Sequence, residues 1–237
     1  MINVSRFALL FAACATVLSL QGNPATAAEM SDATKTPVKK ELSIDPGRTA
    51  VLIMDYENDI INMVPEKSRS PLLDKASAIL KSAREAHLPI IYVVVRFRNG
   101  YPEINPQNER FSIVKKLGLV REGTQGADIN SRVAPQPGDI VVTKRRVGAF
   151  STTDLESIMR ANNINTLAMF GISTSGVVLS TVRWAADMDY KIVVVSDACA
   201  DLDEEVHRVL TEKVFPGQAT VVSTQEFLRA LSGSASQ

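Results

Sequence analysis

Two residues of opposite chemistry follow apolar runs in this chain. Asp55 comes directly after Ala50–Met54 in AVLIMDYEND, and Lys144 directly after Ile140–Thr143 in IVVTKRRVGAF. A carboxyl at a strand end can give or take a proton, and an ammonium beside it sets how readily it does so. Arg146, two residues beyond Lys144, could hold an anionic substrate group, as could Arg96 and Arg98 after the run Ile90–Val95. GISTSG at 171–176 offers the hydroxyls of Ser173, Thr174 and Ser175, and SDACAD at 196–201 brings Asp197 and the thiol of Cys199.

Each of these has a plainer use. Asp55 could cap a helix, the KRR run could be a solvated loop, and Arg146 could face water. Cys199 has no His or Lys beside it to lower its pKa, so it reads as packing. Ser173, Asp197 and His207 stand in the chain order of an α/β-hydrolase triad, which makes a serine hydrolase using Ser173 an alternative. That reading is the weaker one, because the elbow G-x-S-x-G becomes Gly171-Ile172-Ser173-Thr174-Ser175 here, and His207 in DEEVHRVL belongs mid-helix. Trp184 and Tyr101 could line a pocket or simply pack.

The segments that must position these side chains alternate. Strands are expected at Ala50–Met54, Ile90–Val95, Ile140–Thr143, Leu167–Phe170, Ile192–Val195 and Ala219–Val222. All are apolar with no clean period of two, which suits strands covered on both faces. Between them Leu72, Leu73, Ala76, Ile79, Leu80 and Ala83 recur at helical spacing, as do Leu155, Ile158 and Met159, then Val178, Val182 and Ala185, then Val206, Leu210 and Val214. This alternation predicts an α/β domain, a parallel sheet with helices on both faces, whose ligand site lies at the carboxyl ends of the strands. The stretch Arg96–Gly138 is a long insertion with a short helix near Asn108–Leu117, and insertions of that length commonly build lids or binding loops. No G-x-G-x-x-G follows the first strand and no Walker loop is present, so nucleotide binding loses its main support.

Composition removes further classes. In 237 residues, 26 Lys plus Arg balance 26 Asp plus Glu, which leaves no basic excess for nucleic acid or anionic membranes. Two His and two Cys are too few for a zinc cluster or a disulfide framework, so neither metal nor cofactor is expected. The N-terminus pairs a basic start with the apolar run Phe7–Leu20 and the small residues Ala25-Thr26-Ala27, the pattern of a secretory signal peptide over 1–27. A leader over 28–46 and one domain over 47–230 follow, in a periplasmic or secreted protein free of the membrane once cleaved. A lipoprotein anchored through Cys14 is the minor alternative. A small-molecule substrate is the expected partner, with self-association left open.

Three segments together resemble the isochorismatase-like hydrolases, also called the cysteine hydrolase superfamily. VLIMDYEND is similar to that family's V-x-D-x-Q-N-D opening, VVTKRRVGAFSTTDLESIMRANNINTL to its K-x-R-x-S-A-F…TDL…L segment, and GISTSGVVLSTVRWAAD…VVVSDACAD to its nucleophile helix and following strand. The resemblance implies a three-layer, Rossmann-like α/β/α domain with a six-stranded parallel sheet in the order 3-2-1-4-5-6. It implies Asp55 as acid/base, Lys144 as its partner, and a cis peptide at Ile172–Ser173 that turns backbone N–H groups of Ile172, Ser173, Thr174 and Gly176 into an anion hole. It also puts the family's nucleophilic cysteine at Val177, which cannot attack. Family members without that cysteine hydrolyse a vinyl ether with the Asp as general acid, and the retained Asp–Lys pair suits that chemistry. The other class is a pseudoenzyme that binds a small carboxylate in the same pocket without turning it over.

Overall fold

The computed structural model describes residues 42–234. The expected signal peptide, with Cys14, and the leader as far as residue 41 lie outside the described residues. Six β-branched apolar runs form the strands β1 (Thr49–Met54), β2 (Ile90–Val95), β3 (Ile140–Lys144), β4 (Thr166–Gly171), β5 (Lys191–Val195) and β6 (Thr220–Val222). They make one sheet, ordered β3-β2-β1-β4-β5-β6, and every pairing is parallel. β1, β2 and β4 are buried at every residue, because helices cover both faces and leave no polar side to alternate with.

Eight helical segments matter to the site. α1 (Asn58–Ile61) is one turn, and α2 (Glu66–Glu85) buries Leu72, Leu73, Ala76, Ile79, Leu80 and Ala83. In the insertion, α3 (Glu109–Leu117) starts where the Asn108 side chain accepts from Phe111 N–H at 3.1 Å and stops at Gly118, whose φ of 70° only glycine adopts freely. α4 (Leu155–Ala161) follows β3, and a π-helical turn at Thr174–Val178 runs into α5 (Leu179–Asp187). α6 (Glu204–Val209) follows β5, its first N–H groups held by Asp203 Oδ1. α7 (Thr224–Ser234) closes the domain through buried Phe227 and Leu231.

The packed chain extends past both expected bounds. Ile44, inside the expected leader, is buried in the core, and α7 continues beyond residue 230. The insertion carries an apolar cluster of its own: Val95, Phe97, Tyr101, Ile104, Phe111 and Val120 pack together apart from the main core, with Phe97 and Phe111 rings 5.2 Å apart. Strand order reverses at β1, which lies between β2 and β4. The crevice this opens at the carboxyl ends is where ligands bind in such sheets.

Candidate active site

β1, β2, β3 and β4 all end at that crevice, and the residues leaving them meet there. Asp55 leaves β1 at φ 57°, the left-handed region that Asp and Asn tolerate better than other side-chain-bearing residues. Lys144 is the last residue of β3, in register with Val95 at the end of β2. Its ammonium, only 1% exposed, donates to Asp55 Oδ2 at 2.8 Å and to Arg146 O at 3.2 Å. Among the described residues Asp55 Oδ1 has no hydrogen-bond partner. Burial raises the Asp55 carboxyl above its ordinary 3.8, outweighing the opposing pull of Lys144 and the weaker one of Arg110. A proton-donating carboxyl needs that balance.

A cavity of about 400 Å³ opens over the pair. Asp55, Lys144, Arg110 and Asp201 bring charge to it, while Val95, Phe111, Val120, Ile172 and Val177 make apolar wall. Val177 is buried in the π-helical turn and borders the same cavity as Asp55 and Lys144. Two glycines permit this crowding. A Cβ on Gly171 would lie 2.8 Å from Met54 O and 3.2 Å from Val177 Cγ1, and one on Gly176 would lie 3.0 Å from Arg110 Nη2. At the mouth Ile113 and Leu202 are 59% and 70% exposed, with Met63 beside them, an apolar rim contributed by three separate segments.

The Ile172–Ser173 peptide is cis. The hydrogen bonds around it do not make the expected anion hole. Ile172 N–H donates to Met54 O at 3.2 Å, Thr174 N–H to Ala200 O at 2.9 Å and Gly176 N–H to Ser173 O at 3.2 Å, so these three are spent within the backbone. Ser173 N–H alone among the four has no such partner in the described residues. Ile172 and Ser173 border the cavity. Thr174 is buried, with Oγ1 2.8 Å from His207 Nδ1.

Other expectations are corrected. Arg146 turns away from the cavity, its Nη1 donating to Glu103 O at 3.2 Å, because the chain leaves the strand at Lys144 and strand alternation no longer aims it inward. Arg96 donates to Ala127 O, and Arg98 pairs with Glu103. No serine triad forms: His207 bonds Thr174, while Asp197 accepts from Thr224 N–H and Oγ1 and pairs with Lys75. Trp184 is 46% exposed and stacks on Phe150, and Tyr101 is buried in the insertion's cluster with its hydroxyl donating to Leu119 O. Neither borders the cavity.

A second cation at the cavity, besides Lys144, is Arg110, which sequence reasoning missed. It comes from α3, and its Nη2 is 3.5 Å from Ser173 Oγ. Asn58 and Asp59 were missed as well: Asn58 Nδ2 donates to Gln125 O and Asp59 Oδ2 accepts from Val120 N–H, which fastens the insertion to α1. Their signal was the ND that closes DYEND.

Cys199 is buried and donates to Val195 O, and burial pushes its thiol up to about 12. A thiol so poorly ionised is a poor nucleophile. Cys199 in native protein is therefore expected to resist iodoacetamide at pH 8, with labelling at that residue appearing only in denaturant. Rapid stoichiometric labelling of Cys199 in the native state would contradict this. Among the described residues no group of three or more His, Cys, Asp or Glu is arranged to hold a metal ion, and no helix is long and apolar enough to cross a membrane.

Known proteins resemble this chain in sequence and fold. The Isochorismatase domain family matches residues 49–226. The uncharacterized isochorismatase family protein YwoC of Bacillus subtilis is 30% identical over 187 residues, 79% of this chain and 96% of that protein. Ureidoacrylate amidohydrolase RutB of Rhizobium rhizogenes is 27% identical over 221 residues, covering 84% of this chain and 86% of the relative. Among solved structures, a cysteine hydrolase from Pseudomonas syringae pv. phaseolicola superposes with a TM-score of 0.73 at 23% identity, over 81% of this chain and 96% of that one.

Proposed function

From the premise that the chain belongs to the isochorismatase family of hydrolases, we propose that it cleaves a small anionic molecule with Asp55 as general acid and without a covalent thioester. The observation that carries this is Asp55 itself. It is a buried carboxyl raised above its ordinary value, with one oxygen held by Lys144 and the other unpartnered, in a cavity where Val177 occupies the place the resemblance gives to the thiol.

The steps follow from those groups. Asp55 Oδ1 gives its proton to the electron-rich carbon of a vinyl ether, which leaves an oxocarbenium ion on the substrate. The carboxylate so formed is stabilised by the Lys144 ammonium at Oδ2. Water adds to the cation, the hemiketal collapses, and the proton shed by that water returns to Asp55. The apolar wall, Val177 included, keeps bulk water from competing with Lys144 for the carboxylate. The amidohydrolase relatives are named for amide cleavage, a reaction eased by a nucleophile; with Val177 in place, acid catalysis is the route these side chains support.

Arg110 is assigned the substrate's anionic group. In a screen of vinyl ethers, amides, carbamates and esters, turnover should favour an anionic vinyl ether, and intact-mass spectrometry during turnover should show no enzyme adduct. Arg110→Ala should raise KM roughly 10- to 100-fold, the size of one lost charge-assisted hydrogen bond, with a smaller change in kcat. A trapped acyl-enzyme would sink the proposal.

A further inference from the structure

One buried acid is left unused by these steps. Glu57 is fully buried and, among the described residues, its side chain accepts a single hydrogen bond, from Val95 N–H to Oε1 at 2.6 Å, while Oε2 has no partner there. Asp55 shows the same deficit at Oδ1. An ionised carboxylate with a bare oxygen in such a place is strongly disfavoured.

The charges on the elements around Glu57 are few. Lys144 at the end of β3 and Asp55 at the end of β1 both act on it. Arg96, just past β2, spends its Nε on Ala127 O, and Asp59 on α1 accepts from Val120 N–H. Asp128 precedes Ile129, whose backbone bridges to Glu57, and Arg110 acts on Asp55. One ammonium therefore serves two buried carboxyls. It can neutralise one, and Asp55 holds it at 2.8 Å. Burial pushes Glu57 well above the ordinary carboxyl range, the Asp55 charge adds to that, and Lys144 offsets only part.

We infer that Glu57 is the resting holder of the one exchangeable proton in the Asp55–Glu57–Lys144 cluster, a positioning residue that reloads Asp55 for each turnover. The inference rests on the reading of Asp55 as the acid. It resolves a tension in that reading, since a carboxyl paired with a lysine is drawn toward its ionised form. The proton balance closes. The Glu57 Oε2–H bond breaks as Asp55 Oδ1–H forms, and that bond breaks in turn as the substrate C–H bond forms. The proton released by the attacking water returns to Asp55 and from there to Glu57. Lys144 keeps its own protons throughout, held to Asp55 Oδ2 and acting on Glu57 through space. The family opening that this segment resembles has Gln where Glu57 stands; an amide would accept Val95 N–H equally well but could not store a proton.

Glu57→Gln separates the two roles, because it preserves shape and the Val95 hydrogen bond. Wild-type protein at neutral pH should show the infrared C=O stretch of a protonated carboxyl, and the variant should lose it. The variant's kcat should fall about tenfold or more, part of the roughly 10²- to 10⁴-fold that a general acid contributes, with KM little changed and one ionisation gone from the pH profile. Stability supplies a second measurement. A carboxyl raised in the folded state favours folding below its unfolded value, near 4.5, and that contribution is lost as pH rises through the folded value, so wild-type stability should decline above pH 4.5 more steeply than the variant's. Absence of the band in wild type, its survival in the variant, or an unchanged kcat and pH profile would each overturn the inference. Should no substrate be turned over, the hydrolase reading fails by itself, while the band and the stability slope still decide where the proton resides.

Discussion

Asp55→Asn is expected to lower kcat by about 10²- to 10⁴-fold while leaving substrate affinity within a few-fold of wild type. The amide keeps the shape of the carboxyl and loses only its exchangeable acidic proton, so the interaction removed is one made in the transition state. Folding should survive for three reasons. Asn accepts the left-handed backbone that Asp55 adopts at φ 57°. Its amide oxygen can still accept from Lys144 Nζ, which lies 2.8 Å from Oδ2 in the native site. Glu57, buried nearby and acted on by the same lysine, can ionise to supply the missing countercharge. Steady-state kinetics on the best substrate of the screen, with ligand affinity measured calorimetrically, checks both halves. A variant with near-normal kcat would reduce Asp55 to a structural residue.

Lys144→Met should produce the largest loss of stability, about 3–5 kcal/mol near neutral pH, because it strips the ammonium from a buried pair and leaves Asp55 only the weaker pull of Arg110. Acid should rescue it. Both carboxyls are already raised in the native state, and Lys144 acts to lower both, so its removal carries them further up. A group raised in this way favours folding fully below its unfolded value, here 3.8 for Asp55 and 4.5 for Glu57, and the benefit is lost as pH rises through the folded value. The deficit of the variant should therefore be small at pH 4 and largest at pH 7 to 8. Urea denaturation at the two pH values measures it, and an equal deficit at both would mean that Lys144 matters for packing and not for charge.

The sheet was legible because its signal is local: IIYVVV and KIVVV can be little else than strands buried on both faces. That Asp55 and Lys144 would meet was legible because a parallel sheet brings its carboxyl ends together whatever the loops do. Arg110 was not, since its position depends on how a distant insertion helix packs back over the cavity, a contact between residues 110 and 173 with no local trace. The anion hole failed for a related reason. Side-chain types do not reveal which backbone N–H groups are already used, and Met54 O, Ala200 O and Ser173 O take three of the four. Glu57 was visible as a letter in a motif, but its complete burial and bare oxygen were not. α7 escaped because its buried stripe is little more than Phe227 and Leu231, too short a repeat to stand out.

The insertion's separate apolar cluster bears on how this protein could change over evolutionary time. Phe97, Tyr101, Ile104, Phe111 and Val120 form a small nucleus outside the sheet's core, and the helix that carries Arg110, Ile113 and Val114 into the cavity is built on it. Substitutions at separate sites without shared partners are close to additive in stability. Replacements on this helix other than at Arg110, which acts on Asp55, can therefore redraw the cavity's outer wall at little cost to the packing that holds Asp55 to Lys144. The arrangement divides inheritance between two bodies of residues, a sheet whose ends keep the proton chemistry constant and an appended nucleus free to drift toward new ligands.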